Sequence, residues 1–320
     1  MCASIISMNF WQKLPKPFFV LAPMANVTDV AFRAMFAKHG KPHVMWTEFV
    51  SADGLVSPGR EVLLRDLEFS TKERPIVAQL FTGHPDKMLE AAKLVKKLGF
   101  DGLDINTGCP DRSVEKQGGG SAMIKDKKSA LAVLTAAREG SGLPVSVKAR
   151  IGYNKNEINE WIRFLLEQRL PALTVHLRTR KEMSDVPAHW ELMPEIVKLR
   201  NEISPETLII GNGDVMSLDE AHKRVMESGC DGVMIGRGIF GNPWFFSGKS
   251  ATTEEKLKGL VEHTKLFEKK LGDVKNFAIM KKHFKAYVSG WDGAKELRVK
   301  LMEATNGKEV DKIIKEYLKN

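Results

Sequence analysis

Three polar residues stand where an apolar strand should not carry them. Lys148 interrupts the run PVSVKAR (144–150), where an unpaired ammonium is costly, so it needs a partner. Either it forms a Schiff base with a carbonyl substrate or it pairs with an anionic ligand. His176 stands in ALTVHLR (172–178) and Gln79 in PIVAQLF (75–81). Beside these two, a flat heteroaromatic ring that gains negative charge suits Lys148 better than a carbonyl, and a reduced flavin is such a ring. The alternative for His176 is a core histidine bonded to backbone.

Cys109 stands in NTGCPDRSVEKQGGGSAMIK, the longest polar, glycine-rich stretch after any apolar run. Pro110 fixes the chain beyond it, and Gly118, Gly119 and Gly120 predict a loop free to open and close. A cysteine so placed is a nucleophile, a general acid or a passive residue, and no histidine near it in sequence points to a Cys–His pair. Two later glycine-rich segments, GNGD (211–214) and GRGIFGNP (236–243), offer backbone N–H groups to an anion, with Arg237 adding a fixed charge. Together they suggest a phosphate-bearing cofactor such as flavin mononucleotide (FMN). No CxxC pair or HExxH motif is present, so no metal site is expected.

These residues need a scaffold that brings them together. Eight short apolar runs recur through the first 240 residues, at 18–24, 43–49, 75–81, 101–106, 144–150, 172–178, 207–214 and 231–238. Most are continuous rather than alternating, as parallel strands buried on both faces should be. Helical spacing separates them, for example Met88, Ala91, Ala92, Val95 and Leu98 ahead of Gly99. Eight such units in about 230 residues predict a (β/α)8 TIM barrel, with a doubly wound open sheet as the alternative. The barrel places strand C-termini around one mouth. The polar residues fall near that end of each run: Pro23 and Met24, Glu48, Gln79, Asn106, Lys148, His176, Asn212 with Asp214, and Gly236 with Arg237. The glycine-rich segments then become the loops after strands seven and eight, a common phosphate site.

Past Ala251 strand-like runs cease and helical spacing continues, broken at Gly272, Gly290–Gly293 and Asn306–Gly307. The expected division is a barrel over 1–246 and a small all-α domain over 251–320, joined by the Ser/Thr/Gly-rich stretch 247–255. The 320 residues carry a net charge of +9, and the last 70 hold 16 Lys+Arg against 11 Asp+Glu. A basic helical domain on a nearly balanced barrel suits a polyanion such as nucleic acid, or is only a solvated lysine-rich face. Hydrophobic residues at 43 % and charged residues at 28 % exclude a fibrous or disordered chain. No apolar run approaches the ~20 residues of a membrane span, and the N-terminal stretch has no secretory pattern. Three cysteines (Cys2, Cys109, Cys230) make no disulfide framework, so a cytoplasmic protein is expected.

The segments APMANVTDVAFR, TEFVSADG, QLFTG, DINTGCP, KQGGGSAMIKD, VSVKARIG, VHLRTR, GNGDV and DGVMIGRGIFGNPW resemble the bacterial tRNA-dihydrouridine synthases. The tail HFKAYVSGWDGAKELRVKLMEATN resembles that family's helical tRNA-binding domain, so the likeness runs along nearly the whole chain. DINTGCP followed by GGGS is its most specific part. The resemblance implies FMN held by Pro23, Met24, Ala25, Gln79, Lys148, His176, Asn212, Gly213, Asp214, Gly236 and Arg237. It further implies Cys109 as general acid, Asn106 and Arg178 at the tRNA uridine, and NADPH as reductant; a one-to-one complex with tRNA needs no dimer, so a monomer is expected. Two positions depart from the family pattern: Leu177 stands where glycine is frequent, and His189 where aspartate is expected. Competing expectations are a flavin barrel acting on a free pyrimidine, a non-catalytic tRNA-binding protein, and a Schiff-base aldolase built on Lys148.

Overall fold

The computed structural model describes residues 9–319; Cys2 lies outside them. Eight strands form one parallel sheet: β1 (Phe18–Leu21), β2 (Met45–Ser51), β3 (Ile76–Phe81), β4 (Gly102–Asn106), β5 (Val145–Arg150), β6 (Ala172–His176), β7 (Leu208–Asn212) and β8 (Gly232–Ile235). Each of the eight apolar runs is one strand. The order β1-β8-β7-β6-β5-β4-β3-β2 curls round until Val20 of β1 bridges Val44, just ahead of β2, and closes a TIM barrel.

Side chains alternate across each strand, and this alternation divides the barrel wall. Phe19 and Leu21, Ala78 and Leu80, Leu103 and Ile105, Val145 and Val147, and Leu173 and Val175 face outward into the core shared with the surrounding helices. Phe18, Val20, Trp46, Val77, Ala172, Ile210 and Met234 face inward and form a second core, joined at the barrel's floor by Trp11 of the turn Phe10–Lys13. Higher in the barrel the same inward parity carries Gln79, Asp104, Asn106, Ser146, Lys148, Thr174, His176 and Asn212. An apolar floor thus supports a polar upper storey.

The helices obey their apolar spacing. Pro85–Leu98 buries Met88, Ala91, Ala92 and Val95 and ends at Gly99 with φ +82°. Leu98, on the expected stripe, is 38 % exposed instead. From residue 253 the chain is helical: Thr253–Leu271, Met280–Tyr287, Ala294–Glu303 and Gly307–Tyr317. Thr252 and Glu255 form a capping box at the start of the first, and Asn306 caps the last. Their apolar faces build a separate core, into which the barrel helix Val30–His39 inserts Val30 and Ala31. Within it His263 and His283 are fully buried, 4.8 Å apart between ring centroids, and among the described residues none of their four ring nitrogens has a hydrogen-bond partner. Among the described residues no helix is long and apolar enough to cross a membrane.

Candidate active site at the barrel mouth

A cavity opens at the C-terminal ends of β1 and β5–β8. Pro23, Met24, Lys148, His176, Asn212, Gly213, Asp214, Gly236 and Arg237 line it, with Arg178 and Ser184. Nine of the eleven residues expected at a flavin meet there. Ala25 follows Met24 and is exposed, and Gln79 lies deeper, fully buried.

The cavity is built to receive an anion. Among the described residues the Lys148 ammonium has no hydrogen-bond or ion-pair partner, and burial together with the charge of Arg150 brings its pKa down to about 8. His176 is held neutral, its pKa pushed well below the usual range by burial and by Lys148, Arg150, Arg178 and Arg237. Its Nε2 accepts from Arg178 Nη1 at 3.1 Å, which leaves the ring proton on Nδ1. Arg178 also donates to Val186 O at 2.6 Å and to Asp214, whose other oxygen takes Arg237. Burial works to raise the Asp214 carboxyl, but Arg178, the Ala188 N–H and Arg237 outweigh it and keep it ionised. Asp214, expected near the phosphate, therefore aims two arginines with its carboxylate. Arg178, expected near the substrate, is 2 % exposed and belongs to the same set. Gly236 leaves room beside Arg237: a Cβ there would meet nothing nearer than Met24 Sδ at 3.7 Å.

These features fit FMN on the chain's own terms. A free ammonium and a neutral imidazole in a cationic cavity suit a ring that becomes anionic, and open space at Gly236 beside Arg237 suits a phosphate.

Beneath the cavity a hydrogen-bonded row crosses three strands. Gln79 Nε2 donates to Asp104 Oδ2 at 2.7 Å, and Ser146 Oγ donates to Asp104 Oδ1 at 2.5 Å. Asn106 Nδ2 donates to Gln79 Oε1 at 3.1 Å. Burial raises the Asp104 carboxyl to about 6 against these bonds and the pull of Lys148. The Asn106 Oδ1 accepts Gly108 N at 3.1 Å and Cys109 N at 2.9 Å, so Asn106 holds the cysteine loop.

Cys109 is partly buried, and burial lifts its pKa, so the thiol keeps its proton. Ser121 N donates to the Cys109 carbonyl at 2.9 Å, and Arg150 Nε to Gly108 O at 2.8 Å. The glycine triplet also serves close backbone packing. Gly118 and Gly120 have positive φ (+71° and +57°), and a Cβ at Gly120 would lie 2.6 Å from Cys109 O. These glycines permit close backbone packing that fixes the cysteine. Glu115 continues the brace: it pairs with Arg180 of the loop after β6 at 2.5 Å and accepts from Ser121.

Leu177 is fully buried, packed between barrel and helices. His189 bridges Glu182 and Glu191 at 3.0 Å each, pinning the loop after β6. Cys230 is buried in the turn before β8 with its thiol on Gly232 O.

Sequence reasoning missed Asp104, Ser121 and the pair of Lys275 with Glu48. Asp104 gave the one available signal, a carboxylate two residues before Asn106 and so on the same strand face.

The dihydrouridine synthase family profile matches residues 20–320. A "probable tRNA-dihydrouridine synthase" of Staphylococcus aureus (strain COL) is 41 % identical over 314 residues, 97 % of this chain and 95 % of the relative. A "probable tRNA-dihydrouridine synthase 2" of Bacillus subtilis (strain 168) is 41 % identical over 314 residues, covering 97 % and 96 %. Among solved structures, 2-naphthoyl-CoA reductase superposes with a TM-score of 0.55 at 11 % identity, covering 72 % of this chain and 49 % of that one. A morphinone reductase mutant in complex with tetrahydroNAD gives 0.51 at 14 % identity, covering 72 % and 86 %. At these identities the superpositions carry the barrel fold alone. The family profile and the full-length relatives carry more: this chain belongs to the dihydrouridine synthase family.

Proposed function

We propose that the protein reduces the 5,6 double bond of uridines in tRNA to 5,6-dihydrouridine, with FMN as resident cofactor and NADPH as reductant. The observation that carries this reading is the unpartnered Lys148 ammonium beside neutral His176 in a cationic cavity, with a protonated thiol on the loop braced beside it. FMN, when bound, supplies a hydride to carbon 6 and is restored by NADPH. Lys148 and His176 Nδ1 offer hydrogen bonds to the charged edge of the ring, while Asn212, Gly213, Gly236 and Arg237 take its phosphate side. Pro23, Met24 and Ala25 form the turn against it, and Gln79 supports it from below. Cys109 gives its proton to carbon 5, and the raised thiol pKa suits an acid rather than a nucleophile. Asn106 sets that thiol's position through the Cys109 N–H, and Arg178 orients His176 from behind.

A uridine stacked in folded tRNA must turn out into such a cavity. The basic helices after residue 250 supply the surface for the rest of the tRNA, with the barrel over 1–246 as the catalytic part. We read the protein as a cytoplasmic monomer, since a one-to-one enzyme–tRNA complex needs no dimer and three cysteines without a disulfide framework suit a reducing compartment.

The test is the visible spectrum of the purified protein before and after anaerobic NADPH, then after uridine-bearing tRNA. Bleaching and tRNA-dependent recovery is expected. Bleaching that free pyrimidines but not tRNA reverse would move the substrate to a small molecule, and a protein that cannot be loaded with FMN would overturn the reading. Cys109→Ala should keep its flavin and bleach normally yet lose about 10²–10⁴-fold in tRNA-dependent recovery.

A further inference from the structure

One buried ion cluster outside the cavity joins the helical region to the barrel mouth. Lys275, between the helices Thr253–Leu271 and Met280–Tyr287, holds its ammonium 2.7 Å from Glu48 Oε2 and 2.7 Å from Asp66 Oδ1. Glu48 is 4 % exposed and Lys275 is half-buried or better. Glu48 sits where the pairing of β2 with β3 slips, between Trp46↔Val77 and Phe49↔Gln79. The extra residue of such a bulge re-aims a side chain. The other Glu48 oxygen accepts the backbone N–H of Asn26, a residue in left-handed conformation at φ +55°. Asn26 ends the turn that carries Pro23, Met24 and Ala25 out of β1, and Pro23 and Met24 line the cavity.

The chain of contacts runs from the helical region, through one carboxylate, to the turn against the cofactor. A backbone N–H bound to an ionised carboxylate makes a stronger hydrogen bond than one bound to a neutral acceptor. Burial, with Asp66 and Asp29 nearby, favours the neutral acid and raises Glu48 to about 7, and Lys275 is what opposes them. Lys282, on the following helix, also feels the charges of Glu48 and Asp29. Remove the Lys275 charge and Glu48 gains a proton, weakening its hold on Asn26.

We propose that Lys275 is a positioning residue for the cofactor turn, acting through Glu48 and Asn26, so that docking of the helical region fixes Pro23–Ala25 against the flavin. The inference rests on the flavin reading above.

The test compares Lys275→Met, Lys275→Arg and Glu262→Gln. Glu262 pairs with Lys38 at 2.5 Å and His39 at 3.2 Å, so its variant breaks another contact between the helical region and the barrel without touching the turn. Two readouts are taken: hydrogen exchange of the peptide over 22–28, and the rate of FMN release from holoenzyme by recovery of free-flavin fluorescence. Lys275→Met should speed both by about tenfold or more, as loss of a charge-assisted hydrogen bond predicts. Lys275→Arg should restore most of the difference, and Glu262→Gln should leave both near wild type. Unchanged exchange at 22–28 in Lys275→Met, or equal loosening by Glu262→Gln, would overturn the proposal. Faster exchange in a protein that cannot be loaded with FMN would sustain the link from Lys275 to the turn and overturn the flavin reading instead.

Discussion

Asp104→Asn isolates one charge with little change of shape. The asparagine Oδ1 can accept from Gln79 Nε2 in place of Oδ2, and its Nδ2 can donate to Ser146 Oγ, so both partners of Asp104 stay bonded. What disappears is the buried carboxylate below Lys148. Asp104 pairs in register with Ser146, and Lys148 lies two residues further along β5 on the same face. One strand spacing across and two residues along put the residues about 8 Å apart. At that separation and an effective dielectric of about 20, opposite charges attract by about 2 kcal/mol, or about 1.5 pKa units. Lys148, at about 8 in the native chain, should fall to roughly 6.5 in the variant by that reckoning. At pH 7.5 its charged fraction would drop from about three-quarters to about one-tenth. Flavin-free protein carrying ¹³Cε-lysine gives the titration directly by NMR, with the Lys148 resonance identified by its loss in Lys148→Met. A midpoint in Asp104→Asn within about 0.3 of wild type would refute the coupling and the inward parity from which the distance was reckoned.

Gly120→Ala should destabilise the fold by about 2–4 kcal/mol, from a left-handed φ and a Cβ pressed on Cys109 O and Val114 Cγ1. Gly142→Ala, at φ +58° with nothing within 4 Å, should cost only about 1–2 kcal/mol; equal losses in thermal melting would contradict the packing role of the triplet. Burial pushes His263 down to about 3. The unfolded imidazole takes a proton near pH 6.5 while the folded one stays neutral, so stability present above that pH is lost as pH falls toward 3, by about 1.4 kcal/mol per unit. His263→Leu should therefore flatten the fall in melting temperature between pH 7.5 and pH 5, and an unchanged fall would count against a neutral buried imidazole. Affinity for tRNA should drop steeply with salt as counterions are released from phosphates contacted by the basic helices; a flat dependence would favour a merely solvated lysine surface.

The eight strands were readable because parallel strands covered on both faces become continuous apolar runs, which turn chemistry then separates. Lys148, His176, Gln79 and Asn212 were readable for the complementary reason, since each breaks such a run with a group that needs a partner. Roles that depend on cross-strand register were not readable. Nothing local distinguishes Asp104 as the hub of Gln79 and Ser146, or tells that Arg178 and Asp214 consume each other's hydrogen bonds. Lys275 is one of 49 Lys+Arg residues, and only the bulge in β2 and the fold of the helical region bring it to Glu48. The packing role of the glycine triplet was not readable because glycine answers two needs, freedom and close packing, and sequence does not say which is in play. His263 and His283 lie 20 residues apart on different helices, so their meeting is a product of helix packing alone.

The staves of this barrel are unequally joined. Seven neighbouring pairs run in ladders of three to five matched residues, whereas β1 meets the chain at β2 through one bridged pair. The barrel is thus closer to a clasped cuff than to a continuous hoop, with its thinnest seam between β1 and β2. The helix Val30–His39 joins the two strands in the chain, and the C-terminal helices pack on its Val30 and Ala31, while Lys275 fastens Glu48 of β2. The helical region is therefore also the clasp of the cuff. A chain shortened to the barrel alone would lose the Lys275–Glu48 fastening of its own rim.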